Sequence, residues 1–223
     1  MAAAQRTLTL GQELQLELSL NGRPAQAGAL RWTSDRPGVA AVSDSGKISA
    51  VSEGTATIRA VLAASERTLG EFTMQVVSLP PVTPQRLDVL TAQVLKLTNA
   101  ARAKTQTCGR QTFLPAPPLK SETRLGQAAQ GHAANMAALG YFSHTSQDGR
   151  TLRNRIDATN YPWRAIAENI AAGQSSAQEV VTGWLNSEGH CRNLMNAEYR
   201  ELGIGLAQNT GGKRYWVQDF GTR

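Results

Sequence analysis

The chain is poor in the residues that would mark it as a metal-cluster or membrane protein. Its 223 residues include two cysteines and three histidines, and aromatic residues make up only 5%. The clustered Cys and His spacing of a structural zinc site is absent around Cys108. No apolar run approaches the roughly 20 residues that a membrane helix needs, so we expect no membrane span.

No apolar run is long enough for the core of a signal peptide either. The start, Met1-Ala2-Ala3-Ala4, fits a chain whose export signal has been removed. It fits the natural start of a cytosolic protein equally well, and the sequence alone leaves both open.

Basic charge is in excess, but it is not clustered. The net charge is +6, and all of it falls on residues 81–223 because residues 1–80 carry as many acidic as basic side chains. A basic face can meet anionic surfaces. However, Arg150, Arg153, Arg155 and Arg164 are scattered, so we interpret them as solvated surface charge and expect no nucleic-acid partner.

The two cysteines, Cys108 and Cys191, lie 83 positions apart. In an exported protein two such thiols suggest a disulfide, whereas in a cytosolic protein they would be two unrelated buried thiols. The residues by themselves leave both alternatives open.

Residues 1–79 predict an all-β domain. Leu14, Leu16, Leu18 and Leu20 alternate with polar residues, which is the pattern of a half-buried strand. Further short apolar segments follow at close, regular spacing, at 30–33, 39–42, 47–51, 56–60 and 72–77. Turn residues separate them, so the pattern predicts an antiparallel sandwich.

A proline-rich linker, residues 80–86, precedes a second domain, residues 87–223. Apolar residues at three- and four-residue steps predict a helix from Leu87 to about Arg102 and another over about 121–139. Ser176 and Glu179 form a capping box that predicts a third helix. The segments 202–207 and 215–220 predict a hairpin, so helices precede strands and the fold class is α+β.

Four side chains of this domain could carry chemistry. His132 lies on an apolar helix stripe and is interpreted as a core histidine. His144 follows the second helix, Glu168 is flanked by apolar residues and needs a partner, and His190 follows the third helix. Two imidazoles and a carboxylate suit a divalent metal, and they suit general acid–base work equally.

The first domain resembles the bacterial Ig-like (Big2) domain. The resemblance rests on Trp32-Thr33-Ser34, Val39-Ala40-Ala41-Val42, Gly46-Lys47-Ile48 and Gly54-Thr55-Ala56-Thr57-Ile58, in that order. It implies an immunoglobulin-like sandwich that acts as a spacer or adhesive module. Trp32 is then a core aromatic.

The second domain resembles the compact bacterial branch of the CAP (SCP/PR1-like) family. The resemblance rests on four motifs, Tyr141–His144, Ala167–Ala171, Trp184–Met195 and Tyr215–Gly221. It implies an α-β-α sandwich with a surface cleft of two histidines and two glutamates, sometimes occupied by Zn. Carried over by position, the cleft residues and candidate metal ligands are His144, Glu168 and His190.

The second cleft glutamate of the family falls on Ser187 here, and Glu188 is its neighbour. One residue of helix turns a side chain by about 100°, so either Glu188 or Ser187 is the candidate fourth cleft group. The resemblance also implies a disulfide between Cys108 and Cys191.

Three functions stay open at this point. We expect a secreted or cell-envelope, non-enzymatic module that binds a cell-surface, lipid or glycan ligand as a monomer, with Zn as its candidate metal. The alternative is an extracellular hydrolase, either metal-dependent or using Ser187 or Ser143. Against it, the chain has neither a Gly-x-Ser-x-Gly nor a His-Glu-x-x-His motif. The third is a structural cell-wall protein with a vestigial cleft.

Overall fold

The computed structural model describes residues 4–20, 23–25, 28–78 and 83–223. These residues form two compact units, one made of the residues up to Ser78 and the other of nearly all residues from Thr83 onward. Of the predicted linker, residues 80–82 lie outside the described residues and residues 83–86 are described. None of the helices in the described ranges is long and apolar enough to cross a membrane.

Nine strands lie among the described residues of the first unit, which agrees with the predicted all-β domain. They are β1 (Ala4–Thr9), β2 (Glu13–Gln15), β3 (Ser19–Leu20), β4 (Arg23–Pro24), β5 (Leu30–Ser34), β6 (Ala40–Val42), β7 (Lys47–Ala50), β8 (Gly54–Leu62) and β9 (Thr68–Val77). One sheet has the order β1-β9-β8-β5, a second has the order β2-β7-β6, and β3 pairs with β4.

The core of this unit is apolar and includes Trp32, which is 8% exposed, as the sequence predicts. The described strands of this unit pair antiparallel, as predicted, except that β1 pairs with β9 in parallel. The alternating leucines do not form one strand. The strand stops after Gln15, whose side chain donates to the carbonyls of Leu16 and Ser45 and so ties the chain to the neighbouring turn.

The second unit contains five helices and six strands. The helices are α1 (Pro84–Arg102), α2 (Thr123–Leu139), α3 (Leu152–Asp157), α4 (Ala177–Leu185) and α5 (Glu188–Met195). The strands are β10 (Gln106–Cys108), β11 (Gln111–Phe113), β12 (Lys120–Ser121), β13 (Ala165–Ala172), β14 (Glu201–Gln208) and β15 (Arg214–Thr222). The predicted hairpin is β14 and β15, which pair antiparallel.

A four-stranded sheet of order β12-β14-β15-β13 forms the middle layer. One face packs against α2, through residues such as Ile170 and Val217. The other face packs against α1, α4 and α5, through residues such as Trp216 and Phe220. The result is the predicted α-β-α sandwich, in which β13 and β14 each have an edge that no long strand covers.

Two glycines allow α2 to lie directly on β14. A Cβ at Gly203 would come within 2.0 Å of the carbonyl carbon of Leu125, and one at Gly205 within 2.3 Å of that of Ala129. Real Cβ atoms never approach backbone atoms so closely, so any larger residue would push the helix off the sheet.

A buried guanidinium joins α1 to the segment after α5. Arg102 is fully buried and donates hydrogen bonds to the carbonyls of Pro117, Leu194, Asn196 and Tyr199. Burial, with a smaller contribution from Arg200, lowers the pKa of Arg102 to about 10. It still carries its charge at neutral pH, and backbone carbonyls solvate that charge in place of water.

Candidate functional site

Glu168 is the centre of the site, and β13 holds it in place. Its side chain is 2% exposed, on the sheet face that α2 covers. One carboxylate oxygen, Oε1, accepts a hydrogen bond of 2.7 Å from Nδ1 of His144. The other, Oε2, accepts one of 2.7 Å from Nη2 of Arg155. A buried Glu168 was predicted to need a partner, and it has two, the imidazole of His144 and the guanidinium of Arg155.

Arg155 was expected to be a solvated surface charge, and that interpretation is wrong. Its side chain is 5% exposed. The short helix α3 places it, and a reciprocal capping box of Thr151 and Asn154 starts that helix. Nη1 of Arg155 donates to the carbonyls of His144 and Arg150, so the guanidinium holds the 144–150 loop as well as Glu168.

His144 is the accessible member of the pair. Its side chain is 57% exposed, whereas the carboxylate beneath it is almost fully buried. Because a carboxylate only accepts, Nδ1 of His144 is the protonated nitrogen that donates to Glu168. In the neutral ring Nε2 then keeps its lone pair, which is the arrangement that orients a histidine toward a metal or a proton.

His132 lies in the interior, behind Glu168, as its apolar stripe predicts. Nε2 donates to the Ser143 carbonyl at 2.9 Å, so Nδ1 accepts from the Ser146 hydroxyl at 3.4 Å. Burial lowers the pKa of His132 despite the opposing effect of Glu168, so the ring is neutral. Nε2 is also 4.0 Å from Oε2 of Glu168, which brings His132 closer to the site than the sequence suggested.

His190 belongs to α5, a helix that the sequence analysis did not predict. Its carbonyl accepts a hydrogen bond from Nδ2 of Asn169, and Asn193 binds both Oδ1 of Asn169 and the Glu168 carbonyl. The next residue forms the predicted disulfide, Cys108–Cys191, with a Cα–Cα distance of 5.5 Å. The backbone around His190 is therefore fixed on two sides.

Burial lowers the pKa of His190, and the charge of His144 lowers it further. For Glu168, burial raises the pKa, but the hydrogen bond from His144 and the charge of Arg155 outweigh it. The pKa of Glu168 therefore lies below its ordinary value. At neutral pH the site combines an ionised carboxylate with a neutral, half-buried imidazole at position 190.

The candidate fourth groups lie at the junction of two helices. α4 ends at Leu185 and α5 begins at Glu188, so the 100° rotation expected for a continuous helix does not apply here. Glu188 forms an ion pair of 2.8 Å with Arg192 and lies against Gly109 of the β10–β11 turn. Ser187 precedes α5, and its side chain makes no capping hydrogen bond.

A fully buried carboxyl group, which was not among the predicted site residues, lies beside Glu168. Asp219 of β15 is the register partner of Glu168 and is 0% exposed. No donor among the described residues hydrogen-bonds either of its oxygens. Burial raises the pKa of Asp219 well above its ordinary value, and the charge of Glu168 raises it further. The protonated form of Asp219 is therefore favoured up to a higher pH than in an ordinary aspartate.

The structure thus joins His144, Glu168, Arg155 and Asp219, with His132 behind them. Across the described residues, no three His, Cys, Asp or Glu side chains are arranged to hold a metal ion. That His144, Glu168 and His190 together bind a metal ion stays a prediction. One signal could have revealed Asp219, because alternation along Tyr215–Phe220 places it on the same side as the buried Tyr215 and Val217.

Comparison with known families agrees with this architecture. Residues 95–220, more than half of the chain, match the CAP family, described as the cysteine-rich secretory protein family. Residues 2–70 match the bacterial Ig-like domain of group 2. The chain therefore belongs to the CAP family, with a Big_2 domain preceding its CAP domain, and both predicted resemblances are confirmed.

Two curated relatives come from Bacillus subtilis. The uncharacterized membrane protein YlbC is 32% identical over 128 residues, which cover 57% of this chain and 33% of the relative. The uncharacterized protein YkwD is 28% identical over 137 residues, which cover 61% of this chain and 49% of the relative. The chain thus spans a third to a half of the length of these relatives.

Among solved structures, the chain is similar to an extracellular protein containing an SCP domain from Bacillus anthracis. The two share 23% identity with a TM-score of 0.54, over 96% of this chain and 68% of that one. A likeness at this identity concerns the fold, and it agrees with the two-domain architecture described above.

Proposed function

We propose that this chain is a secreted or cell-envelope protein whose CAP domain binds a ligand through the cleft of His144, Glu168 and His190. The observation that supports this most is the buried Glu168 carboxylate, held at 2.7 Å by both His144 and Arg155. A half-exposed imidazole oriented by a buried acid is a prepared binding group rather than a surface residue.

Export is supported by the disulfide between two fully buried cysteines. Disulfides of this kind persist in oxidising compartments and are rare in the cytosol. The Ig-like domain fits a surface location, since such modules act as spacers. The partner class that follows is a cell-surface, lipid or glycan ligand.

The ion that we propose for part of the cleft is a divalent ion such as Zn. His144 has its Nδ1 committed to Glu168, so Nε2 is available, and the lowered pKa of His190 keeps its ring neutral. Both imidazoles can hold the ion, while Arg155 opposes direct ligation by Glu168, whose carboxylate orients His144 instead. When bound, the ion would supply open positions for ligand or water. With two nitrogen ligands we expect weak binding.

Titration of the full chain with Zn tests the metal part of the proposal. Zn should raise the melting temperature, and His144→Ala or His190→Ala should abolish the rise. His132→Ala is the matched control, because it should lower stability and leave the Zn response intact. Binding should weaken below about pH 6, since a ligating histidine must lose its proton. A Zn response that survives both cleft substitutions would overturn the assignment.

The hydrolase alternative finds less support. Ser143 uses its carbonyl to bind His132 and its hydroxyl to accept from Thr145. Within the described part of the chain, no histidine hydrogen-bonds the hydroxyl of Ser143 or Ser187, which a serine nucleophile would need. Assays on ester, casein and peptidoglycan substrates, with and without a chelator, test this alternative directly.

A further inference from the structure

The sheet of the CAP domain has a second edge, on β14, far from the cleft strand β13. The strand order β12-β14-β15-β13 places the two at opposite sides of the sheet. The short strand β12 covers β14 only at Glu201 and Leu202. From Gly203 onward, no strand of the described residues pairs with this side of β14.

The pairing register shows which backbone groups face this edge. β15 bonds to β14 on one side, and Leu202, Ile204 and Leu206 direct their N–H and C=O groups to the other. The Leu202 carbonyl accepts from the Glu122 amide at 3.0 Å. Ile204 comes next, and no described residue bonds to its N–H or its C=O.

The backbone groups of Leu206, two residues further along the same edge, do have a hydrogen-bond partner. The side-chain amide of Gln130, from α2, donates to the Leu206 carbonyl at 3.1 Å and accepts from the Leu206 N–H at 3.0 Å. One amide group thus bonds both backbone groups, as a residue of a paired strand would. Ile204 therefore lies between a backbone partner at Leu202 and a carboxamide partner at Leu206.

A groove of about 640 Å³ opens onto Ile204. α1 forms one wall, with Leu87, Thr91 and Leu95, and α2 forms the other, with Gly126 and Gln130. Grooves of this size hold small ligands or a few residues of peptide. Asp88 also lines the groove, and it is exposed with no ion-pair partner in the described ranges.

We propose that this groove is a peptide-binding site, in which a short extended segment bonds the free N–H and C=O of Ile204. Its occupant is a stretch of two or three residues with a basic side chain. The bonds that Glu122 and Gln130 make on either side show that the edge accepts amide groups, and the unpaired carboxylate of Asp88 favours a basic residue. Apolar side chains of α1 and α2 would contact the flanking residues.

The groove can be closed without disturbing its wall. Gly126 lines the groove, and a Cβ there would meet nothing within 4 Å, so Gly126→Leu adds its side chain at a groove position where the first carbon has open space. Gly131 also has nothing within 4 Å and belongs to the same helix, but it does not line the groove. Gly131→Leu is therefore a matched control for helix propensity and added bulk.

The test is an NMR titration of the ¹⁵N-labelled full chain with the peptide acetyl-Val-Lys-Val-amide. The amide signal of Ile204 should shift in a saturable way below about 10 mM, and its hydrogen exchange should slow, because the contact is short and weak. Gly126→Leu should weaken binding at least about tenfold, whereas Gly131→Leu should leave it unchanged. Asp88→Asn, or Glu in place of Lys in the peptide, should weaken it severalfold.

An ester analogue of the probe, lacking the lysine N–H, separates strand-like pairing from simple attraction to an acidic surface. It should bind at least about tenfold more weakly. Equal binding of the ester, or no shift at Ile204 for any of these ligands, would overturn the proposal. The proposal would also fail if the Ile204 signal shifted when only the protein concentration was raised. In that case the β14 edge would pair with a second copy of this chain and not with a peptide. None of these results bears on the His144 cleft.

Discussion

The two units of the chain place their charges differently. In the Ig-like unit the ion pairs Arg31–Glu66, Lys47–Glu13 and Arg59–Glu71 all join side chains that are about half exposed or more. Among its described residues, no charged or polar side chain is buried in the core. The CAP unit instead buries charged or ionisable side chains in its interior, namely Arg102, Glu122, His132, Arg155, Glu168, Arg214 and Asp219.

Burying a charge is costly, so a fold keeps one only where neighbours compensate it. Arg155 and Glu168 compensate each other, and carbonyls surround Arg102. The Ig-like unit has no such cluster among its described residues, which fits a supporting role. Functional candidates in this chain are therefore found where the interior is charged, and the predictions below test that difference.

The largest effect should come from removing the disulfide. A double variant, Cys108→Ser with Cys191→Ser, should lower the unfolding free energy of the CAP unit by about 4–5 kcal/mol, since the bond closes a loop of 83 residues. The Ig-like unit should not change. Urea denaturation of the full chain, with reduced wild-type protein as a control, measures both. A loss below about 1 kcal/mol would show that the bond matters little.

The next effect should come from Arg155→Met, which removes the guanidinium that binds Oε2 of the buried Glu168 carboxylate. We expect a loss of about 3–5 kcal/mol in the unfolding free energy, because an uncompensated buried charge remains. The double variant Arg155→Met with Glu168→Gln should recover part of that loss in a double-mutant cycle. If the two losses simply added, the pair would not be coupled.

A third, smaller effect concerns the proton on Asp219. Its raised pKa means that the folded state holds this proton where the unfolded chain, with an ordinary value near 3.8, releases it. The folded state therefore loses stability as pH rises above about 3.8, with a slope of at most about 1.4 kcal/mol per pH unit. The substitution Asp219→Asn should remove this loss. The variant protein should therefore be more stable than the wild type at pH 7.

Thermal unfolding between pH 4 and pH 8 measures that difference. Glu168 contributes in the opposite direction, since its lowered pKa gives stability that is lost only as pH falls below its ordinary value of 4.5. Glu168 is ionised in both states above pH 6, so the comparison of wild type with Asp219→Asn there isolates Asp219. A difference that does not grow with pH would contradict the assigned proton.

The smallest effect should come from the Ig-like unit. Arg59→Met removes an exposed ion pair with Glu71, and we expect no measurable change in its melting temperature. This is the matched control for Arg155→Met, because both remove an arginine–glutamate pair. A large loss from Arg59→Met would mean that burial does not distinguish the two units.

Much of this architecture could be predicted from local patterns. The alternation in 202–207 and 215–220 predicted the β14–β15 hairpin, and the apolar stripe predicted α1 and α2. Ser176 does begin α4 by accepting from the Glu179 amide. In a full capping box the Glu179 side chain would accept from the Ser176 backbone N–H. Here it accepts from the amide and the hydroxyl of Ser175.

What the sequence could not predict depends on distant contacts. Arg155 resembles any surface arginine until α3 brings it to Glu168, 13 residues away. β13 was not recognised as a strand because Glu168 and Asn169 interrupt its apolar residues. Their partners lie on α5, β15 and the 144–150 loop, and only tertiary structure brings these together.

The position of β15 constrains how the CAP unit folds. It is the last strand of the sheet to be synthesised, yet it pairs with β14 on one side and β13 on the other, and all nine of its residues are buried. β13 has no partner in the sheet until residues 214–222 are available. The central sheet of the CAP unit is therefore completed only when its last strand has been synthesised, after every helix of the unit.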